Sequence, residues 1–287
     1  MSPMTHFYNC HGGPINTNFY GQFKKQAPEA MKSEYIPDKI TRGTIVAAEC
    51  CFGAELFDHK RYELDTVSIA NNYLGHGAIA FMGSSTIAYG PSDSQSLADL
   101  ITQYFVKPIL QGASTGRALL EARQKFLIES GPDLDPYELK TLAQFYLLGD
   151  PSVQPAQREE AELKAQTVGN AIMNNRKKLF EKGMTLKESI GKTTRTIKGD
   201  KGLRHTGAVN RILSDTGFTN NDKASVYKVL SKKRMGSIMQ KKMGGNDVKF
   251  RTFVQNWHTK SEASRYKVLV IKENPSEILG WRTYYSR

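Results

Sequence analysis

The stretch TIVAAECCFG, residues 44–53, decides the fold of this 287-residue chain. Its first five residues form a short, continuous apolar run, which is typical of a strand covered on both faces of a sheet. The run leads into two of the chain's three cysteines, Cys50 and Cys51, and a glycine that permits a tight turn follows them. The third cysteine, Cys10, lies in HFYNCHGG at residues 6–13, beside a histidine. The pattern predicts a buried strand with a thiol at its carboxyl end.

Further strands and helices alternate along the same half of the chain. Residues 5–9 are rich in β-forming side chains and stop at a Gly-Gly-Pro turn, and residues 77–82 form a third apolar run. The remaining predicted elements are helices at 64–74, 94–111 and 115–130, the last capped by Ser114 or Thr115, and a fourth strand in LAQFYLLGDPSVQ at 142–154. This alternation predicts an α/β fold with a mostly parallel sheet and helices on both faces.

Charge is distributed unevenly along the chain. Residues 1–157 hold 12 Lys and Arg against 16 Asp and Glu, a balance of −4, whereas residues 158–287 hold 28 against 12, a balance of +16. Apolar residues (39%) and charged residues (24%) stand at ordinary globular levels. We therefore predict two domains, 1–157 and 158–287, that meet in DPSVQPAQREE at residues 150–160. The positive half predicts either attraction to polyanions or a plain basic surface.

The basic half favours a mixed α+β domain. Lysine-rich helical patterns cover residues 161–182 and 222–243, and glycines interrupt the segment between them. YKVLVIK (266–272) and ILGWRTYYSR (278–287), joined by a turn at ENPSE, predict a β-hairpin, and VKFRTFVQNW (248–257) predicts a third strand beside it.

Three of the predicted parallel strands lead into loops that carry functional groups. His11 follows the first strand, Cys51 the second, and Gly-Ser-Ser at residues 83–85 the third. Because ligands collect at the carboxyl ends of parallel strands, we expect these loops to meet. A cysteine becomes an effective nucleophile when a nearby imidazole accepts its proton. The main-chain amides of Gly12 and Cys51 are then placed to stabilise an oxyanion.

Other histidines and the remaining thiols are weaker candidates for this chemistry. His6 lies within a predicted strand and His59 stands beside two basic residues, so surface roles suit both. His76, in LGHGA, stays open as a rival base because it too lies in a loop that borders a strand. Cys10 is expected to point away from His11, since side chains alternate along a strand, and to serve in packing.

These motifs resemble the caspase-like clan of cysteine peptidases, which includes caspases, metacaspases, legumains, clostripains and gingipains, with the CHAT-domain proteases as relatives. ECCFG is similar to the clan's nucleophile signature, with Cys51 in the nucleophile position. GAIAFMGSSTIAYG (77–90) and LLGDPSVQ (147–154) look like later segments of gingipain-type and CHAT peptidases, and the likeness extends over residues 5–155. The resemblance implies a cysteine endopeptidase that uses a Cys51–His11 dyad and an acyl-enzyme, without a metal or cofactor.

The resemblance also carries an expectation about specificity. In the clan, the residue two before the nucleophile lines the pocket for the residue that precedes the cleaved bond, and this position is Glu49. An acid there accompanies cleavage after Arg or Lys, because a carboxylate forms a charge-assisted hydrogen bond with a basic side chain. The alternative is that Glu49 bonds within its own scaffold. Ser84 and Ser85 are predicted to form another wall of the same pocket.

The chain departs from the clan at its beginning. The clan's sheet starts with two or more strands before the histidine strand, whereas His11 lies close to Met1. The resemblance then implies a fragment, or first strands that come from another segment or chain. No signal peptide and no apolar run near the required length of about 20 residues is visible, which favours a cytoplasmic protein or a piece of a secreted one. The alternative function is an inactive caspase-like scaffold whose residues 158–287 bind a polyanion or protein partner.

Overall fold

A computed structural model describes residues 4–155, 192–196, 205–230, 248–258 and 264–287, apart from residues 25, 38, 93 and 132. Its first sheet has the order β1-β4-β5-β7. The four strands are β1 (Thr5–Asn9), β4 (Ile45–Glu49), β5 (Ala80–Ser84) and β7 (Phe145–Gly149). The first three are parallel and β7 is antiparallel to β5. This confirms the predicted mostly parallel sheet, with β1 at its edge among the described residues.

Helices cover both faces of this sheet, as predicted. Val46 and Phe81 point to one face, where α1 (Ile69–Gly75) supplies Tyr73 to the buried cluster. Alternate residues of the same strands point to the other face. Three helices cover that face: α2 (Ala98–Leu110), α3 (Thr115–Ser130) and α4 (Pro136–Gln144). Because both faces are covered, all five residues of β4 are buried, which explains the continuous apolar run in the sequence.

The ends of the first three helices lie close to the predicted ones, but α1 begins at Ile69 and not at residue 64, and α2 begins at Ala98 and not at residue 94. The Ser114 hydroxyl accepts a hydrogen bond from the main chain of Arg117, so Ser114 caps α3 as expected. Residues 142–144, predicted as the start of a strand, instead end α4. That part of the prediction was wrong because a capping box formed by Asp135 and Glu138 begins a helix upstream, and its hydrogen-bonded turns continue to Gln144.

A second sheet is antiparallel and has the order β6-β12-β11-β10-β9-β8. Its strands are β6 (Tyr89–Gly90), β8 (Lys192–Thr196), β9 (Lys223–Leu230), β10 (Lys249–His258), β11 (Ser264–Glu273) and β12 (Ile278–Ser286). β11 and β12 form the predicted hairpin, and β10 is the predicted third strand. A small separate pair, β2 (Asn18–Tyr20) and β3 (Glu29–Lys32), lies in the loop after β1.

The predicted helix over residues 222–243 is wrong at its beginning. Residues 223–230 form strand β9, because their β-branched residues are paired on both sides by β8 and β10, and those ladders outweigh the helix propensity of the lysines. The only helix described between β8 and β9 is α5 (Thr206–Thr216). The predicted helix at 161–182, residues 231–243 and the predicted boundary at residue 157 lie outside the described residues.

The described parts of the two predicted domains share a sheet and a core. Strand β6 belongs to the first half and pairs with β12 from the second. Val268 and Tyr284 are buried in the same apolar cluster as Tyr89 and Phe126. The second sheet therefore packs directly on the helices of the first, and this contact brings the last residues of the chain to the ends of the parallel strands. Within the described residues, no helix combines the length and apolarity that a bilayer span needs.

Candidate active site

His11 and Cys51 follow neighbouring strands at matching positions. β1 and β4 are parallel and their last paired residues are Asn9 and Glu49, so each functional residue stands two places beyond its strand. The loops touch at Gly12, where an added Cβ would lie 1.9 Å from the Cys51 carbonyl oxygen. Only glycine permits such an approach without a shift of the backbone. The sheet register and this contact place both predicted catalytic loops at the carboxyl ends of the parallel strands.

The thiol of Cys51 is buried at the carboxyl end of β4. The residue is 4% exposed, and its Sγ donates a hydrogen bond to the Ala88 carbonyl oxygen at 3.4 Å. Burial raises the pKa of the Cys51 thiol to about 11, against the opposing effect of the positive charge on Arg265. The thiol is therefore protonated at neutral pH and needs a base before it can act as a nucleophile.

His11 has the properties of such a base. Its Nε2 lies 2.9 Å from Gln22 Oε1, and because that oxygen is an acceptor, Nε2 carries the proton. Nδ1 is buried and meets no partner at ordinary hydrogen-bond geometry among the described residues. Burial lowers the pKa of His11, and the charges on Arg265 and Arg287 lower it further. The Gln22 hydrogen bond and a contact with the Arg287 main chain act in the opposite direction. The imidazole is thus neutral at pH 7, with its free lone pair on Nδ1.

Residue Arg287 lies directly against Cys51. The Cys51 main-chain N–H donates to the Arg287 carbonyl oxygen at 3.1 Å, and the Arg287 N–H donates to the Ala88 carbonyl at 2.9 Å. These bonds extend the β12–β6 ladder, in which Ser286 pairs with Tyr89. An extended segment therefore crosses the ends of the parallel strands with one carbonyl held by the amide of Cys51.

The Arg287 side chain fills a pocket lined with acids. Its guanidinium donates to Asp99 at 2.8 Å and to the Pro91 carbonyl oxygen at 3.0 Å. An added Cβ at Gly90 would lie 2.5 Å from two guanidinium nitrogens, so the absence of a side chain there makes room for the arginine. The pocket thus combines a buried carboxylate, a carbonyl acceptor and the free space beside Gly90, which suit a guanidinium.

Glu49, predicted to line this pocket, lies behind Asp99. Glu49 is 1% exposed, and its Oε2 accepts a hydrogen bond from the Thr102 hydroxyl at 3.2 Å. Burial raises the pKa of Glu49 well above its ordinary value, and the Asp99 carboxyl group raises it further through a hydrogen bond and its charge. Glu49 is therefore protonated at neutral pH. The direct ionic partner of the arginine is Asp99, and Glu49 supports it.

The two serines predicted as a pocket wall make local contacts. The Ser84 hydroxyl is buried; it donates to the Thr86 carbonyl at 2.5 Å and accepts from the Thr86 N–H. The Ser85 main-chain N–H donates to the Gln144 carbonyl at 3.1 Å. These bonds shape the turn after β5, and a direct role of either serine in the pocket remains a prediction.

The other histidines and Cys10 lie outside this arrangement of contacts. His6 Nδ1 lies 2.7 Å from the Tyr73 hydroxyl, on the α1 face of the sheet. His76 Nδ1 bonds the Asn72 carbonyl at the end of α1. His59 begins a short 3-10 turn. Cys10 packs with that face, as expected of a structural thiol.

Backbone strain marks three of the loops around the site. Ile15, Phe52 and Leu97 have positive φ angles of 50°, 54° and 50°. Phe52 directly follows Cys51, and Leu97 precedes helix α2, which carries Asp99. Non-glycine residues in this region cost about 1–3 kcal/mol each and persist where the surrounding structure over-determines them, often at functional sites.

In the described part of the chain, no group of three or more His, Cys, Asp or Glu is arranged to hold a metal ion.

Residues 3–156, more than half of the chain, match the model of peptidase family C25. The chain belongs to peptidase family C25. This is the gingipain family of the caspase-like clan, so the resemblance noted from the sequence is confirmed, and C25 members are cysteine peptidases. No curated protein and no solved structure matches the chain.

The C25 match ends before the segment that contacts Cys51. Arg287 lies far beyond residue 156, and no local sequence signal places it beside Cys51. Asp99 was missed for a different reason: it follows Ser96 in a Ser-x-x-Asp pattern that indicates the start of a helix. The Ser96 N–H does donate to Asp99 at 3.4 Å, so the same carboxylate serves both the helix and the pocket.

Proposed function

We propose that this protein is a cysteine endopeptidase that cleaves peptide bonds after Arg or Lys, with Cys51 as nucleophile and His11 as general base and acid. One observation carries the proposal. The carbonyl oxygen of Arg287 accepts a hydrogen bond from the Cys51 amide while its guanidinium is bound by Asp99. A basic residue with its carbonyl beside a buried thiol has the arrangement required of the residue before a cleaved bond.

The reaction follows from the roles of these groups. In the acylation step, His11 Nδ1 takes the proton of the Cys51 thiol as sulfur attacks the substrate carbonyl carbon. The negative charge that develops on the carbonyl oxygen is stabilised by the Cys51 amide, with the predicted second donor at Gly12. The tetrahedral intermediate collapses when the C–N bond breaks and His11 gives its proton to the leaving amine. Water, deprotonated by His11, then attacks the thioester and releases the acid and the thiol.

Charge and burial around the dyad set its resting state. A buried, protonated thiol and a neutral imidazole carry no net charge, so both groups are in the protonation states that the first step requires. The positive charge of Arg265 favours the thiolate that forms during attack. The same charge lowers the pKa of His11, which keeps the imidazole neutral and able to accept a proton at neutral pH but makes it a weaker base.

The proposal is tested with peptides that carry Arg, Lys or Ala before a reporter group. We expect Cys51→Ala and His11→Ala each to abolish hydrolysis of the Arg and Lys peptides, while circular dichroism shows an unchanged fold. Cys10→Ala and His76→Ala are the matched controls, because they remove the same side-chain types elsewhere on the fold, and both should retain activity. Full activity in Cys51→Ala, or a preference for the Ala peptide, would contradict the assignment.

A further inference from the structure

The end of strand β12 lies along the site as an added strand. Tyr285 pairs with Gly90 and Ser286 with Tyr89, both antiparallel, and the Arg287 N–H donates to the Ala88 carbonyl. Strand addition of this kind is a general mode of peptide recognition, in which main-chain hydrogen bonds give affinity and side-chain pockets give specificity. Residues 285–287 therefore use the edge of β6 that a bound peptide would need.

The same segment also uses the groups that would act on a substrate. The Cys51 amide is occupied by the Arg287 carbonyl, and the Asp99 carboxylate is occupied by its guanidinium. Cys51 itself is 4% exposed. A second peptide cannot form these hydrogen bonds while the chain's own residue holds them, so the two occupants exclude each other.

The segment is anchored upstream, independently of the pocket. The Tyr284 hydroxyl donates to Asp135 at 2.8 Å in the buried core, and Tyr284 is 1% exposed. The Ser286 hydroxyl accepts from the Tyr266 N–H at 3.0 Å. A tether this short gives Arg287 a high effective concentration at the pocket, in the millimolar range typical of short linkers. Free peptides must compete against that concentration.

We propose that residues 285–287 act as an internal inhibitor that occupies the substrate groove of this chain, with Arg287 in the pocket for the basic residue. The inference rests on the proposed function, since it assigns to the segment the place of the substrate. Peptides enter the site only after Arg287 leaves it. The segment also indicates what such peptides contain: an extended strand with arginine before the cleaved bond and a small polar residue before that arginine.

The first test measures binding alone, in chains that carry Cys51→Ala so that no cleavage intervenes. The probe is fluorescein-labelled Tyr-Tyr-Ser-Arg, followed by fluorescence anisotropy. Arg287→Ala should tighten probe binding by about tenfold or more, because the tethered competitor loses its pocket contacts. Arg282→Ala is the matched control, since Arg282 lies on the same strand but bonds Glu138 away from Cys51. Arg287→Lys should restore much of the competition.

Equal probe affinities for Arg287→Ala, Arg282→Ala and the parent would overturn the inference. Thermal melts of all variants check that each is folded, so that a loss of structure is not taken for an opened groove.

The second test measures hydrolysis with Cys51 intact and separates this inference from the proposed function. Arg287→Ala should hydrolyse Arg peptides about tenfold faster than the parent or Arg282→Ala at low substrate concentration. If all three hydrolyse equally fast and the activity needs Cys51, the inhibitory role is overturned and the peptidase stands. If Arg287→Ala binds the probe tightly but shows no Cys51-dependent hydrolysis, the proposed function is overturned while the occupancy stands.

Discussion

The two sheets contribute to the site in different ways. The parallel sheet supplies the proposed nucleophile and base, because Cys51 and His11 follow adjacent strands in matching register. The antiparallel sheet supplies a main-chain strand and a basic side chain, because β12 runs along β6 and ends at Arg287. The reactive groups come from local chain geometry, whereas the occupant of the groove comes from packing between distant segments. Substitutions in the parallel sheet should therefore change peptide hydrolysis, and substitutions in the antiparallel sheet should change stability or the occupancy of the groove.

The largest effect is expected where the reactive loops touch. Gly12→Ala places a methyl group 1.9 Å from the Cys51 carbonyl oxygen, so the His11 loop must move away from the thiol. We expect peptide hydrolysis to fall by about 100-fold or more, since a displacement of about 1 Å in a catalytic arrangement costs that much. Gly13→Ala is the control, because its Cβ would lie 3.5 Å from the nearest atom, an Asn16 side-chain nitrogen. Equal rates of peptide hydrolysis in the two variants would show that activity does not depend on the contact between the loops.

The next effect distinguishes the two acids of the pocket. Asp99 contacts the guanidinium directly, so Asp99→Asn in a chain that also carries Arg287→Ala should lower kcat/KM for Arg peptides by about 30-fold or more, the cost of losing one partner of a buried charge pair. Glu49 is already neutral, so Glu49→Gln should cost only about one neutral hydrogen bond, fivefold or so. Asp133→Asn is the control. It removes a carboxylate that bonds Lys272 outside the pocket and should leave kcat/KM for Arg peptides unchanged. A larger loss of kcat/KM in Glu49→Gln than in Asp99→Asn would show that Glu49, and not Asp99, is the main partner of the guanidinium.

A smaller effect is expected in the anchor of the antiparallel sheet. Tyr284→Phe removes the hydroxyl that donates to buried Asp135, which should lower the free energy of unfolding by about 1–3 kcal/mol. Urea unfolding measures the change. Tyr285→Phe on the neighbouring, half-buried position is the control and should cost less than about 0.5 kcal/mol. Similar losses in the two variants would show that the buried hydroxyl is not the anchor.

The smallest effect concerns the pH profile of the parallel-sheet dyad. His11 must be neutral to accept a proton, so kcat/KM is full above the His11 pKa and falls as pH drops through it. Because that pKa is lowered by burial, the acid limb should have its midpoint below 6.5. Gln22→Ala removes a contact that raises the pKa of His11, so the midpoint should fall further. Gln26→Ala, on the exposed part of the same loop, should leave it unchanged.

An acid limb above pH 6.5, or one that Gln22→Ala moves upward, would contradict the His11 environment described above.

Much of the first half was predictable because its strands obey local rules. The apolar run at residues 44–48 and the β-forming run at 5–9 became adjacent parallel strands, and Ser114 capped its helix. Prediction failed where tertiary pairing outweighed propensity, as in β9, whose lysines suggested a helix. It also failed at residues 142–144, where a capping box upstream extended a helix.

The site shows the same division. Apolar periodicity and the residues at the strand ends were enough to select His11, Gly12 and Cys51 from the sequence, because the carboxyl ends of parallel strands meet at one end of a sheet. Glu49 was selected only through the resemblance to the caspase-like clan. The charge pair between Asp99 and Arg287 was decided by the tertiary structure alone, since it depends on β12 pairing with β6 across about two thirds of the length of the chain. Long-range strand pairing leaves no local signature, because either partner strand offers the same main-chain hydrogen bonds to any other edge.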